Sequence, residues 1–326
     1  MNWKKALFYL VFLGIGIFLI YKLVDNVEDK GQLLEDMKSA PWWAIAITFS
    51  MGLLAVISRG LRWLLLLSPI GYKPSKTNSI AAVAFGYLAN TLIPRSGEVA
   101  RCTALHSTDD IPVDKLFGTV ITERAVDFIM LFLFLSVAVV TNYQAVISLF
   151  PKMSLPNSST LFMLFLAVCV AFTGVVVLMR RGRKSKNTLL IKVFNFVKGI
   201  GVGVKSVLKM EQRIEFIAHT FFIWAMYFLM SFALFKAMEG VSVISVFEGV
   251  WVMVCGGFGM VFPSSGGIGA YQFAVQQGFI SLGFSSSIGL AVANVVWLTQ
   301  TLMLISSGAV GYIFIHRART RKTAKK

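Results

Sequence analysis

Apolar runs of about 20 residues recur from one end of this chain to the other, each long enough to cross a hydrocarbon core about 30 Å thick as an α-helix. Backbone polar groups in lipid must find partners within their own segment, so such runs fold as helices. Six segments meet the length outright: Ala6 to Leu23, Trp42 to Leu67, Phe117 to Val140, Leu161 to Met179, Phe216 to Met238, and Ser287 to Ile315. Charged residues make up 14% of the chain, against roughly 25% in soluble domains, and the mean hydropathy is +0.74. No polar stretch is large enough for a soluble domain. The expectation is an all-α integral membrane protein, with one polytopic domain over 1–316 and a basic tail over 317–326.

The formal net charge of +16 could suggest nucleic acid. Its basic residues, however, flank apolar spans, where cytoplasmic loops and anionic headgroups attract them. Lys4 and Lys5, Lys73 and Lys76, the run from Arg180 to Lys186 and the tail HRARTRKTAKK all read as cytoplasmic, which puts both termini inside. The first apolar run is followed by acidic residues and no small-residue cleavage site, so an uncleaved helix is expected there rather than a signal peptide. Cys102, Cys169 and Cys255 form no CxxC pair, and His106, His219 and His316 are scattered, so no disulfide framework, metal or cofactor is expected.

Two further apolar regions, Ile80 to Ile93 and Ile244 to Phe279, are short or broken by Pro94, Pro263 and clustered glycines. If the first crossed fully, the Arg180 cluster would fall outside, so a re-entrant hairpin is expected. For the second, a hairpin and a pair of crossing helices both satisfy the basic-loop rule. GYLANTLIPRSGEVAR and GGFGMVFPSSGGIGAYQ share P-x-S-G, and each lies between two full spans running in opposite senses. That pattern predicts an inverted-topology repeat over about 42–140 and 216–315, with the paired breaks marking a substrate site. The alternative is that both prolines merely end helices at surface loops.

Charge inside the membrane is costly and needs a partner or water. Glu123 and Asp127 share one helix face, with Arg124 in reach of Asp127, so all three are expected to face the bundle interior. They either serve transport or lock helices together. Arg59 and Arg62 share a face of the preceding span; they snorkel to headgroups or join Arg95, Glu98 and Arg101 of the first hairpin. The joined set has five arginines against three acids. Guanidinium forks match phosphate oxygens, so Arg95 and Arg101 are expected to bind a lipid phosphate while Glu98 orients them.

The second hairpin is uncharged, but Ser264, Ser265 and its glycines can present backbone N–H groups to an anion, or simply close-pack. Between Arg180 and Phe216, the stretch carrying Lys198, Lys205 and Lys209 reads as an interfacial helix or a basic loop. No Walker loop, nucleophile elbow or acid–histidine pair is present, so the expectation is that the chain is not an enzyme.

The segments SRGLRW, NTLIPRSGEVAR, TERAVDF and PSSGGIGAYQ, in this order and spacing, resemble the flippase-like membrane domain of lysylphosphatidylglycerol synthetases and its stand-alone bacterial and archaeal relatives. The resemblance covers nearly the whole chain. It implies a helical bundle with re-entrant segments, a bacterial or archaeal cell-membrane location, and movement of lipid between leaflets. The positions it carries over are Arg95, Gly97, Glu98 and Arg101, then Glu123, Arg124 and Asp127, then Pro263, Gly266, Gly267 and Gly269. Gln272 stands where relatives often have glutamate, which departs from the pattern. The aminoacyl-transferring domain is absent from this sequence, so no lysylphosphatidylglycerol synthesis is expected.

The favoured function is a translocator of a phosphate-bearing or lipid-linked anionic substrate, with anionic membrane lipids as partners. A membrane accessory subunit, or an enzyme of lipid-linked sugar metabolism, is the alternative. Protein partners and homo-oligomer formation are left open.

Overall fold

In a computed structural model, residues 3–27, 29–149, 207, 210–262 and 264–324 are described, and every regular element among them is helical. The helices are α1 (Trp3–Asp25), α2 (Lys30–Lys38), α3 (Trp42–Leu67), α4 (Lys76–Leu92), α5 (Gly97–Asp109), α6 (Val113–Thr141) and α7 (Tyr143–Ser148). They continue with α8 (Arg213–Ala237), α9 (Val246–Val261), α10 (Ala270–Ser281) and α11 (Ser286–Thr323). Among the described residues, four helices are long and apolar enough to span a membrane: α3 with its 3₁₀ extension, α6, α8 and α11. The expected first span is also helical, as α1. The expected span from Leu161 to Met179, the Arg180 loop, the lysine-bearing stretch after it and Pro263 lie outside the described residues.

Local sequence signals set the helix starts. Ser75 accepts from the Asn78 N–H at the head of α4, and Ser285 does the same for Ile288 at α11. Ser245 and Glu248 form a reciprocal capping box at α9. The basic tail is no separate segment, because α11 runs unbroken through it to Thr323.

Both interrupted regions fold as helix–turn–helix units. The legs α4, α5, α9 and α10 have 17, 13, 16 and 12 residues. At 1.5 Å per residue these reach about 26, 20, 24 and 18 Å, short of a core about 30 Å thick. Close backbone approach ties each unit. A Cβ on Gly97 would lie 2.6 Å from the Gly86 carbonyl oxygen, and one on Gly259 would lie 2.7 Å from that of Ala270.

The two hairpins insert from opposite ends of the bundle. At one end, Lys322 near the close of α11 pairs with Asp110 at 2.8 Å and donates to the Ser107 carbonyl at 3.4 Å, beside the base of the first hairpin. At the other end, Asn142 donates to the Phe247 carbonyl at 2.9 Å and Ser148 to that of Ser281 at 3.4 Å, at the base of the second. The tips meet inside the bundle, where Gly266 lies against Thr91 and the Trp297 indole N–H donates to the Gly266 carbonyl at 2.8 Å. Gly308 and Gly311 of α11 pack on the α4 backbone, as small residues do at membrane helix contacts.

The apolar core divides accordingly. One cluster surrounds the second hairpin, including Leu234, Val252, Phe279 and Val292; another surrounds the first, including Trp63, Ala82, Leu105 and Leu116. The ion pairs described next lie along the inner edge of the latter.

Candidate functional site

The spacing of Arg59 and Arg62 on α3 and of Glu123 and Asp127 on α6 turns all four into one contact between the helices. Arg59 pairs with Asp127 and, at 3.3 Å, with Glu123; Arg62 pairs with Asp127 at 2.9 Å and Glu123 at 3.4 Å. Arg101 of α5 joins Glu123 at 3.2 Å. Arg62 and Glu123 are fully buried, so the arginines of α3 do not snorkel. Arg59 lies eight residues from the end of α3 and Glu123 ten from the start of α6. At 1.5 Å per residue the cluster sits about 12–15 Å in from the shared end of the two helices.

Aromatic and hydroxyl side chains complete its walls. Arg59 donates to the Tyr87 hydroxyl at 2.6 Å, which meets that of Tyr227 at 3.1 Å, and Arg62 donates to Thr220 at 3.1 Å. The Arg101 guanidinium lies 4.9 Å from the Trp63 ring centroid. Trp63 sits inside the SRGLRW motif and was within reach of sequence reasoning. Tyr227, 140 residues from its partner, carries no local signal.

Arg124 reaches Asp127 at 3.5 Å as the spacing predicts, its second partner is Glu98 at 3.5 Å, and its side chain, 46% exposed, lines the cavity described below. Glu98 therefore does not hold Arg95 and Arg101 together. Arg101 turns to Glu123, while Arg95 stands exposed at the hairpin tip with no ion pair among the described residues. Its φ of 61° is one of two positive values outside glycine among the described residues, a conformation that costs about 1–3 kcal/mol.

The connected cluster thus holds four arginines (59, 62, 101, 124) against three acids (Glu98, Glu123, Asp127), a surplus of one positive charge instead of two. Residues 150–206 contain no Asp or Glu that could cancel it. A cavity of about 100 Å³ opens among Tyr87, Asn90, Gly97, Glu98, Arg101 and Arg124. At about 30 Å³ per water it has room for about three waters or one phosphate-sized group. Among the described residues, Arg101 Nε and Nη2 are buried without a hydrogen-bond partner, as are Arg59 Nε and Arg62 Nε. Gly97 serves both as cavity wall and as the point where α5 touches α4.

In the second hairpin, Ser264, Ser265, Gly267 and Gln272 are buried. The Gln272 carbonyl oxygen accepts from the Gly269 N–H at 2.9 Å, which closes the turn onto α10, while among the described residues its Nε2 and the Ser264 hydroxyl have no hydrogen-bond partner. Gly266 (φ 57°) takes a left-handed conformation that suits a residue without a Cβ. These groups do not line the arginine cavity; where the two tips meet, Gly266 lies against Thr91. No group of three His, Cys, Asp or Glu among the described residues is placed to hold a metal ion.

The family model described as lysylphosphatidylglycerol synthase TM region matches residues 9–308. The chain belongs to that family. As a lysylphosphatidylglycerol synthase TM region, it is a multi-pass membrane protein, and the family points to a membrane lipid-related function. No curated protein and no solved structure matches it.

Proposed function

We propose that this protein moves a phosphate-bearing anionic lipid between leaflets without chemically altering it. The observation that carries the reading is the arginine cavity: a cluster with a surplus positive charge inside the bundle, with Arg101 and Arg124 lining a phosphate-sized space. A structural lock needs balanced charge; a site awaiting an anion does not. Opposed hairpins meeting tip to tip support an inverted repeat, an arrangement suited to opening one site alternately to each side. An apolar groove of about 500 Å³ between α3 and α8, lined by Leu54, Ile57, Leu61 and Phe222, suits an acyl chain and so a lipid rather than a soluble anion. The basic tail and the base of the first hairpin are placed at the cytoplasmic face by the basic-loop rule.

The test is transbilayer movement of fluorescent lipids in vesicles holding the purified protein. Phosphatidylglycerol is expected to cross faster than in protein-free vesicles, and an uncharged diacylglycerol analogue to show no such gain. Arg101→Ala should remove the effect. Equal acceleration of both lipids, or of neither, would overturn the proposal.

A further inference from the structure

Arg95 is the one arginine expected at the phosphate site that the structure places elsewhere. It stands at the tip of the first hairpin, exposed, outside the cavity and away from Glu98. The legs beneath it place it about 20–26 Å from the hairpin's base, past the middle of a core about 30 Å thick. Arg101 lies six residues further down α5, about 9 Å nearer the base. The turn is firmly pinned: the Ser96 hydroxyl donates to the Ala89 and Ile93 carbonyls, both at 2.8 Å, so Arg95 is held in its left-handed conformation by its neighbours. A bare guanidinium at that depth is stable only against water or an anion.

We propose that Arg95 is a second phosphate-contact station, which an anionic phospholipid headgroup meets beyond the hairpin tip, separately from the Arg101 cavity. The proposal rests on the translocation reading and gives it two contact points at different distances from the hairpin's base, Arg101 nearer and Arg95 further. A lone guanidinium on a strained, exposed turn provides a fork of donors for passing contact. The walled cavity around Arg101 provides the resting site.

The test compares Arg95→Gly, Arg95→Lys and Arg101→Ala, using fluorescent phosphatidylglycerol as the probe. Arg95→Gly removes the guanidinium and relieves the positive φ, so its thermal stability should equal or exceed that of the unaltered protein. Translocation by Arg95→Gly is expected to fall about tenfold while equilibrium binding of the probe in detergent changes less than about twofold; Arg101→Ala should weaken binding itself. Arg95→Lys should fall between, since a point charge lacks the bidentate fork. Unchanged translocation in Arg95→Gly, or binding lost together with movement, would overturn the separate station while leaving the translocation reading intact. Failure of the unaltered protein to move the probe would instead remove that reading. Labelling decides the station independently: in a cysteine-free background, Arg95→Cys should react with an impermeant thiol reagent from the end opposite Asp109 and be protected by the probe. No reaction there would eliminate the station.

Discussion

At the scale of single residues, burial decides which charges matter for folding. Glu123 is fully buried and touches Arg59, Arg62 and Arg101, so its loss leaves three guanidinium groups short of a partner. Glu123→Gln is expected to destabilise by about 3–5 kcal/mol, the cost of breaking a buried pair from one side. Arg124→Ala, on a half-exposed side chain, should cost about 1 kcal/mol or less. Thermal unfolding in detergent checks both, and equal losses would contradict the division into buried core and exposed flank. The charged residues were legible in the sequence because charge in an apolar run is conspicuous. Their pairing was not: Arg101 and Glu98 lie three residues apart on one helix, yet the packing of α5 against α6 sends them to different partners, and spacing alone cannot reveal that.

At the scale of elements, two glycine contacts set how tightly the hairpins close. Gly97→Ala would drive a methyl toward the Gly86 carbonyl and the Asn90 side chain, and should cost about 1–3 kcal/mol as an overpacked contact. Gly118→Ala, where nothing lies within 4 Å, should be neutral or slightly stabilising through better helix propensity. The same unfolding measurement separates them; a neutral Gly97→Ala would mean that the hairpin relaxes freely. Of the described spans, the start of each was readable to within a few residues, since apolar length marks it directly; α3 ends where its apolar run does, at Leu67, while α11 runs past its apolar run to Thr323. The short helices α2 and α7 were not, because they are held by contacts with distant segments, such as Ser287 donating to Asp36 at 3.4 Å, rather than by hydropathy.

At the scale of the whole molecule, the Lys322–Asp110 pair places the end of α11 beside the loop leaving the first hairpin. A single cysteine at Ser107 and another at Thr323 should therefore show the same sidedness to impermeant reagents, shielded in intact cells if the tail is cytoplasmic. Opposite labelling would reject the hairpin topology. The surplus positive charge has an electrical counterpart. Charge displaced across the membrane potential exchanges up to about 2.3 kcal/mol per elementary charge per 100 mV. An empty cluster carries one net charge through whatever part of the field it shifts across, whereas a cluster holding a monoanionic phosphodiester carries none. Exchange between labelled and unlabelled phosphatidylglycerol, which uses only the loaded form, should then be insensitive to a potassium diffusion potential. Net transfer, which needs the empty form to return, should speed up under one polarity and slow under the other, making the spare arginine charge a voltage sensor for the direction of lipid flow.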